Sequence, residues 1–454
     1  MRYLSFSEIF RWYTDRTPDA PALRYERDGA VHTLSYARLY ETVKRRAAEL
    51  KAEGKTCLGL FADGSLNCVI ELFSAVRAGM QVVMLERSVP VPILRGLLPY
   101  TDVDTLWGPE ALCAKLTPNL AAGVEDGAGR LLFFTSGTTQ RAKAVVLTEK
   151  KLCASAYNGS ELLPLSADDT LLCALPLGHV FGFVCGLLWG LSCGACVALG
   201  RGASRAAEDY ALFRPTAVSL VPLQLSAQLR SGAFNPELKR IVVGAGDCAD
   251  ELLAAARARG IRVCFGYGLT ETSSGVALSL GEDPHAMTVC PDAELSIAPD
   301  GEILIRMRTC MMKGYYKCRR ETAAVLRGGV LQTGDLGALD ENGLLHVTGR
   351  KKDMLVLHDG GNLFLPEAEA ELARLLPGTD LALTLHNDAL TLAVYDARHS
   401  DEELLAAIEP FQRARAKGWR IAALARLNGP LPRTATGKVR RWELNVRLQA
   451  DKPD

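Results

Sequence analysis

Apolar residues in this chain fall into short unbroken runs, separated by longer stretches in which they recur every three or four positions. The run CLGLFA (Cys57–Ala62) reads as a strand, and NCVIELFSAVRAG (Asn67–Gly79) as an amphipathic helix ending on a glycine. QVVML (Gln81–Leu85) is the next strand. The same order returns with a strand at Ala217–Val221, a helix near Gln224–Arg230 and a strand at Arg240–Val243. A helix at Asp250–Arg259, closed by Gly260, and a strand at Ile261–Phe265 follow. Alternating strands and helices of this kind predict mainly parallel sheets covered by helices. From about Pro291 the texture changes to shorter strands and turns, in AELSI, GEILIRM and GLLHVTG, which predict a small β-rich subdomain. After Arg350 a further pattern, including LALTLHNDALTLAVYD, predicts a separate α+β unit. The expected fold is therefore α/β: a large N-terminal domain (1–349) of mainly parallel, helix-covered sheets with a β-rich subdomain, then a small C-terminal domain (350–454).

One segment breaks the pattern. VFGFVCGLLWGLSCGACVAL (Val180–Leu199) carries no charge and is just long enough to span a bilayer. Gly178, Gly182, Gly186, Gly190 and Gly194 recur every four residues, as on a membrane helix-packing face. No basic flank anchors it, and both neighbours read as α/β. It is expected to be a helix buried on all sides, its glycines admitting a close neighbour, that runs into a strand near ACVAL; no transmembrane segment is expected.

With 52 basic and 52 acidic side chains among 454 residues, the net charge is near zero, and nothing global points to nucleic acid or a membrane surface. The 13 cysteines are irregularly spaced and end at Cys318, which fits a reducing cytosol better than a disulfide framework. Cys193 and Cys196 form a lone C-x-x-C inside the apolar segment and are expected to be packing residues. The first residues lack a signal-peptide apolar stretch, so the expected location is cytoplasmic.

Two glycine-rich loops invite a nucleotide. GTTQRAKA (Gly137–Ala144) nearly fits G-x-x-x-x-G-K-[ST], but Ala142 replaces the second glycine and Ala144 the final hydroxyl. A strand followed by hydroxyls, glycine and Lys143 still suits a polyphosphate; on this loop alone, a polar turn with a solvated lysine is an equal alternative. VVGAGDCADE contains G-x-G-x-x-A between a strand and a helix, but the acidic residue of a dinucleotide site is missing after the next strand, where CFGYG stands.

Six stretches, taken in order, explain more: FFTSGTTQRAKAVVL, LPLGHVFG, GYGLTET, GEILIR with KGYY, LQTGDLGALDENGLLHVTGRKKDML and LPRTATGKVRR. Their order and spacing, from about Ser7 to Arg441, resemble the adenylate-forming (AMP-binding) superfamily of acyl-coenzyme A synthetases, peptide-synthetase adenylation domains and luciferases. The resemblance implies ATP-dependent conversion of a carboxylic acid to acyl-AMP, then transfer to a pantetheine thiol. It also implies Mg²⁺. An anion must attack a phosphate that is already negative, so cations and donors must stand where charge concentrates.

The resemblance assigns Thr135, Ser136, Gly137, Thr138, Thr139 and Lys143 to the β- and γ-phosphates. Gln140, Ala142 and Ala144 depart from the family's loop, and a degenerate nucleotide- or acyl-binding protein is the alternative they raise. Tyr267 would lie against adenine, Thr270 would touch phosphate and Glu271 would bind Mg²⁺. Asp335 would accept the ribose hydroxyls, with Arg350 beside it. Gly244 and Gly246 would flank adenine and the carboxylate. His179 would border and gate the acyl pocket, although a packed core histidine is the competing reading. Lys438 would bridge the carboxylate and the α-phosphate. The C-terminal domain would be mobile, turning about Lys352 between the two half-reactions. The apolar region around Phe181 and Phe183, with the long spacer in Met354–Leu372, favours a fatty acid. The acceptor would be coenzyme A or the phosphopantetheine of an acyl carrier protein; the basic stretch Arg413–Arg420 is either a contact for its phosphates or, as is more common, a solvated helix face.

Overall fold

The computed structural model describes residues 4–125, 129–135, 143–246, 248–356, 362–386, 389–413, 420–433 and 439–450. Among these residues the strands form a 14-stranded sheet, a six-stranded sheet, a three-stranded sheet and a two-stranded ribbon.

The first expected strand–helix–strand unit builds the centre of the six-stranded sheet. Cys57–Phe61 and Gln81–Leu85 are buried throughout and pair in parallel, Cys57 opposite Gln81. The connecting helix Leu66–Arg77 starts because Ser65 Oγ accepts the Cys68 amide. Strands buried on both faces have no polar face to alternate, which is why they read as apolar runs.

The larger sheet has two halves. On one side Arg262–Leu269, Arg240–Val243, Ala217–Leu220, Thr170–Cys173, Cys196–Leu199 and Pro21–Arg27 are neighbours in parallel, with Ala30–Ser35 antiparallel at the edge. On the other side every pairing is antiparallel, through Ser274–Ser279, Met287–Val289, Leu345–Arg350, Val330–Leu339, Glu302–Met307 and Ala293–Ile297. The β-rich texture after Pro291 therefore continues the main sheet rather than starting one of its own. The seam is the strand Arg262–Leu269. Arg262–Phe265 runs parallel to Arg240–Val243, and Gly266–Leu269 runs antiparallel to Ser274–Leu278.

The apolar segment is buried in this body. It is helical over Val180–Phe183, widens into a π turn at Val184–Leu188, continues as helix Trp189–Cys193 and enters the strand Cys196–Leu199. Its glycines admit neighbours as expected. A Cβ at Gly182 would lie 2.3 Å from the Pro176 carbonyl, and one at Gly190 would lie 2.6 Å from Val197 Cγ2. No helix among the described residues is long and apolar enough to cross a membrane.

Beyond Arg350 come the ribbon Met354–Val356 with Asn362–Phe364, the helix Leu365–Leu375, the hairpin Asp380–His386 with Ala389–Tyr395, and Ala423–Arg426 parallel to it. Leu363, Leu372, Leu383, Leu392 and Phe411 close a core of their own.

Candidate active site

The seam strand sets the site. In open sheets, ligands bind outside the carboxyl ends of parallel strands, where the topology changes. A register shift between Tyr267 and Gly268 marks a bulge there, and bulges re-aim side chains. Only glycine fits at 268, because a Cβ would sit 1.8 Å from the Ser274 carbonyl. Tyr267 Oη donates to Asp335 Oδ2 at 2.8 Å, and Arg350 Nε lies 2.7 Å from Asp335 Oδ1. Asp335 and Arg350 are opposed residues of the antiparallel pair Val330–Leu339 and Leu345–Arg350, so register alone brings them together. The Asp335 carboxylate is 2% exposed, a burial that needs these partners. Burial and the adjacent Asp335 charge push the Tyr267 phenol well above its usual range, keeping it a donor.

Directly after the strand, Thr270–Thr272 form a tight helical turn, followed by Ser273 and Ser274 at φ +58° and +107°. Non-glycine residues in that region carry strain of the kind found at functional sites. Tyr315 Oη donates to Glu271 Oε1 at 2.7 Å, and Met312 N donates to the Glu271 carbonyl. Tyr315 is held by the other sheet, because Gly314–Tyr315 pairs with Ala144–Thr148, Tyr315 opposite Val145. The Lys143 ammonium stands over the Tyr315 ring, 4.7 Å from its centroid. Lys143 and Thr135 close the neck of the hydroxyl loop: Thr135 N donates to the Lys143 carbonyl at 3.0 Å, and Lys143 N to Thr135 Oγ1 at 3.3 Å. Ser136, Gly137, Thr138 and Thr139 lie outside the described residues.

The loops after the parallel strands adjoin the seam strand, the Gly266 carbonyl lying 3.4 Å from where a Gly244 Cβ would stand. His179 precedes the turn Val180–Phe183, and its Nε2 lies 3.1 Å from Glu86 Oε1, at the end of Gln81–Leu85. Both side chains are about 30% exposed, which separates His179 from a sealed core histidine. Gly244 follows Arg240–Val243, with the Phe181 ring 3.2 Å from where a Cβ would stand; Gly246 faces Pro222. Phe183, expected to border a fatty chain, is instead fully buried against Phe6 and Phe133. It follows Phe181 by two positions on a helical turn and so faces the opposite way.

On the C-terminal side, Lys351 Nζ lies 2.6 Å from both Asp300 Oδ2 and Glu302 Oε2, while Glu302 Oε1 accepts the Gly334 amide. These hydrogen bonds, Asp300 first, raise the Lys351 pKa. Gly349 is crossed by the Phe364 ring, whose Cζ lies 2.0 Å from where a Cβ would be. Lys352 lies in the short turn Lys351–Asp353. Lys438 lies outside the described residues, but its loop has a defined neck: Arg433 bridges Val439, and Arg433 Nη2 donates to Asp380 Oδ1 at 2.6 Å.

The donor set fits Mg²⁺. The described residues gather no cluster of three histidine, cysteine or acidic ligands, and the Glu271 carboxylate, bonded to the phenol that lies under Lys143, offers a hard oxygen. Mg²⁺ takes this arrangement, one or two carboxylates with substrate phosphates and water. The sequence reading missed Tyr315 and Glu86. KGYY was a visible signal for the first; nothing local marks the second.

An AMP-binding enzyme family model matches residues 124–316. The chain is 29% identical to an indoleacetate–CoA ligase of Aromatoleum aromaticum, over 96% of this chain and 97% of that one. It is 30% identical to a feruloyl-CoA synthase of an Amycolatopsis species, over 96% and 98%. Among solved structures, an anthranilate CoA ligase in complex with anthranoyl-AMP superposes with a TM-score of 0.82 over 100% of this chain and 99% of that one, at 20% identity. The chain belongs to the AMP-binding enzyme family.

Proposed function

We propose that this AMP-forming acid–thiol ligase joins an apolar, aryl-sized carboxylic acid to AMP, releases pyrophosphate and passes the acyl group to coenzyme A. The observation that carries the reading is the seam. There Tyr267, Asp335 and Arg350 stand beside Thr270, Glu271 and Lys143, where the strand changes from parallel to antiparallel pairing.

In this reading Asp335 accepts the ribose hydroxyls and Tyr267 lies against adenine, with Gly244 and Gly246 beside it. Thr135–Thr139 and Lys143 take the β- and γ-phosphates. Glu271, with Thr270 nearby, would hold Mg²⁺, which would supply neutralisation of phosphate charge. Lys438 enters between the carboxylate and the α-phosphate, a compact charge on a flexible stem. Residues 350–454 then turn about Lys352, withdrawing Lys438 and opening a path for the thiol. His179, oriented by Glu86, borders that path.

An aryl acid is preferred because Phe181 closes the space at Gly244, Phe183 is committed to the core, and the relatives above act on indoleacetate and ferulate. A fatty acid, which the spacer after Met354 suggests, is the competing substrate. Incubation with ATP, Mg²⁺, hydroxylamine and a panel of aryl, fatty and short acids should give hydroxamate with aryl acids. Turnover with fatty acids alone refutes the substrate class. Nucleotide binding with no turnover on any acid supports the degenerate binder that Gln140, Ala142 and Ala144 raise. Coenzyme A and a carrier protein are separated by supplying each as acceptor.

A further inference from the structure

Lys143 and Glu271 carry opposite charges in the same site, yet a phenol stands between them. The Tyr315 ring lies under the Lys143 ammonium at 4.7 Å from the centroid, and its hydroxyl donates to Glu271 Oε1 at 2.7 Å. We infer that Tyr315 is a positioning residue that keeps Lys143 and Glu271 from pairing with each other, so that both meet a nucleoside triphosphate and its divalent cation. This rests on the functional reading above and adds a residue to it.

The placement of Tyr315 is over-determined. Its amide donates to Thr322 Oγ1 at 2.9 Å, and the flanking amides of Lys313 and Tyr316 donate to the carbonyls of Val146 and Ala144. Gly314, at φ +144°, is pressed on Thr322, so the turn before Tyr315 admits no side chain. Met312 N holds the Glu271 backbone from the same segment. One short stretch thus spans the two main sheets and carries a side chain 8% exposed.

The chemistry follows from strengths. A direct lysine–carboxylate pair in a half-buried site would have to be broken and desolvated before either group met its ligand. A cation–π contact is weaker and leaves the ammonium's three donors free to turn outward. A phenol donating to one carboxylate oxygen fixes the group's direction and leaves the second oxygen for a metal.

The test is Tyr315→Phe, which keeps the ring under Lys143 and removes only the hydroxyl. Calorimetric titration with ATP, with and without Mg²⁺, is the readout, alongside thermal melting. Metal-free ATP affinity should stay within about twofold, while the Mg²⁺ concentration giving half-maximal tightening should rise about tenfold. Tyr315→Leu, which removes ring and hydroxyl, should weaken metal-free binding as well. Adding Lys143→Met to Tyr315→Phe should bring the Mg²⁺ requirement back toward wild type, because Glu271 then has no cation to pair with. An unchanged Mg²⁺ requirement in a Tyr315→Phe protein that melts like wild type overturns the inference alone. A wild-type protein that binds no ATP overturns the functional reading and this inference with it.

Discussion

On the antiparallel side of the seam, Tyr267, Asp335 and Arg350 stand on strands and are joined through the Asp335 carboxylate. The other group stands at loop ends of both sheets: Thr135 and Lys143 flank the hydroxyl loop of the six-stranded sheet and His179 follows a parallel strand of the larger one, and their contacts are a cation–π platform, a loop neck and a partly exposed histidine–carboxylate contact. The first group is part of what holds the sheet together, because a buried carboxylate without partners is costly whatever it binds. The second group can be rearranged at little cost to the fold. In the proposed mechanism this divides the work. The nucleoside end is gripped by a pre-formed surface, and the phosphates and acyl group meet side chains free to move with the reaction.

In the proposed mechanism Lys438 travels furthest, and its loss should have the largest effect. Lys438→Ala is expected to lower adenylation by about a hundred- to a thousandfold, the usual effect of losing one transition-state stabiliser. Thioester formation from a supplied acyl-adenylate should be largely spared, and equal loss in both half-reactions would remove the two-state reading. Asp335→Ala should cost about 2 kcal/mol of stability, because it leaves the Tyr267 hydroxyl unpaired while the partly exposed Arg350 turns to water, and should weaken ATP binding as well. A urea melt is the check, and a melt like wild type would show that the strand-borne trio is no structural unit. Tyr267→Phe removes one hydrogen bond to a charged group and should cost about 1.5 kcal/mol in the same melt. His179→Ala should change stability by less than about 0.5 kcal/mol. Its effect should fall on KM for the acid, measured at saturating ATP; an unchanged KM would return His179 to a packing role.

What the sequence disclosed divides along physical lines. Buried parallel strands such as Gln81–Leu85 and Arg240–Val243 are apolar runs behind one polar residue, so their pattern is strong and their expected ends coincide with the observed ones. The motif residues of the seam were legible because Tyr267, Thr270 and Glu271 sit within one short stretch. The continuity of the β-rich part with the main sheet was not legible. It depends on one strand pairing in two senses, and pairing leaves no mark in a linear pattern. Phe183 was misplaced because an apolar residue beside a pocket and one in the core read alike. Tyr315 and Glu86 escaped as site residues because their partners are far away in the chain and meet them only when the two sheets come together.

The crossing of Phe364 over Gly349 has a consequence for anyone who recombines this protein with its relatives. A splice placed anywhere between these two positions takes the ring from one parent and the bare backbone beneath it from the other. If the donor of position 349 carries any side chain, the two pieces collide at their junction. Crossovers should therefore fall before 349 or after 364, so that both residues are inherited from a single parent.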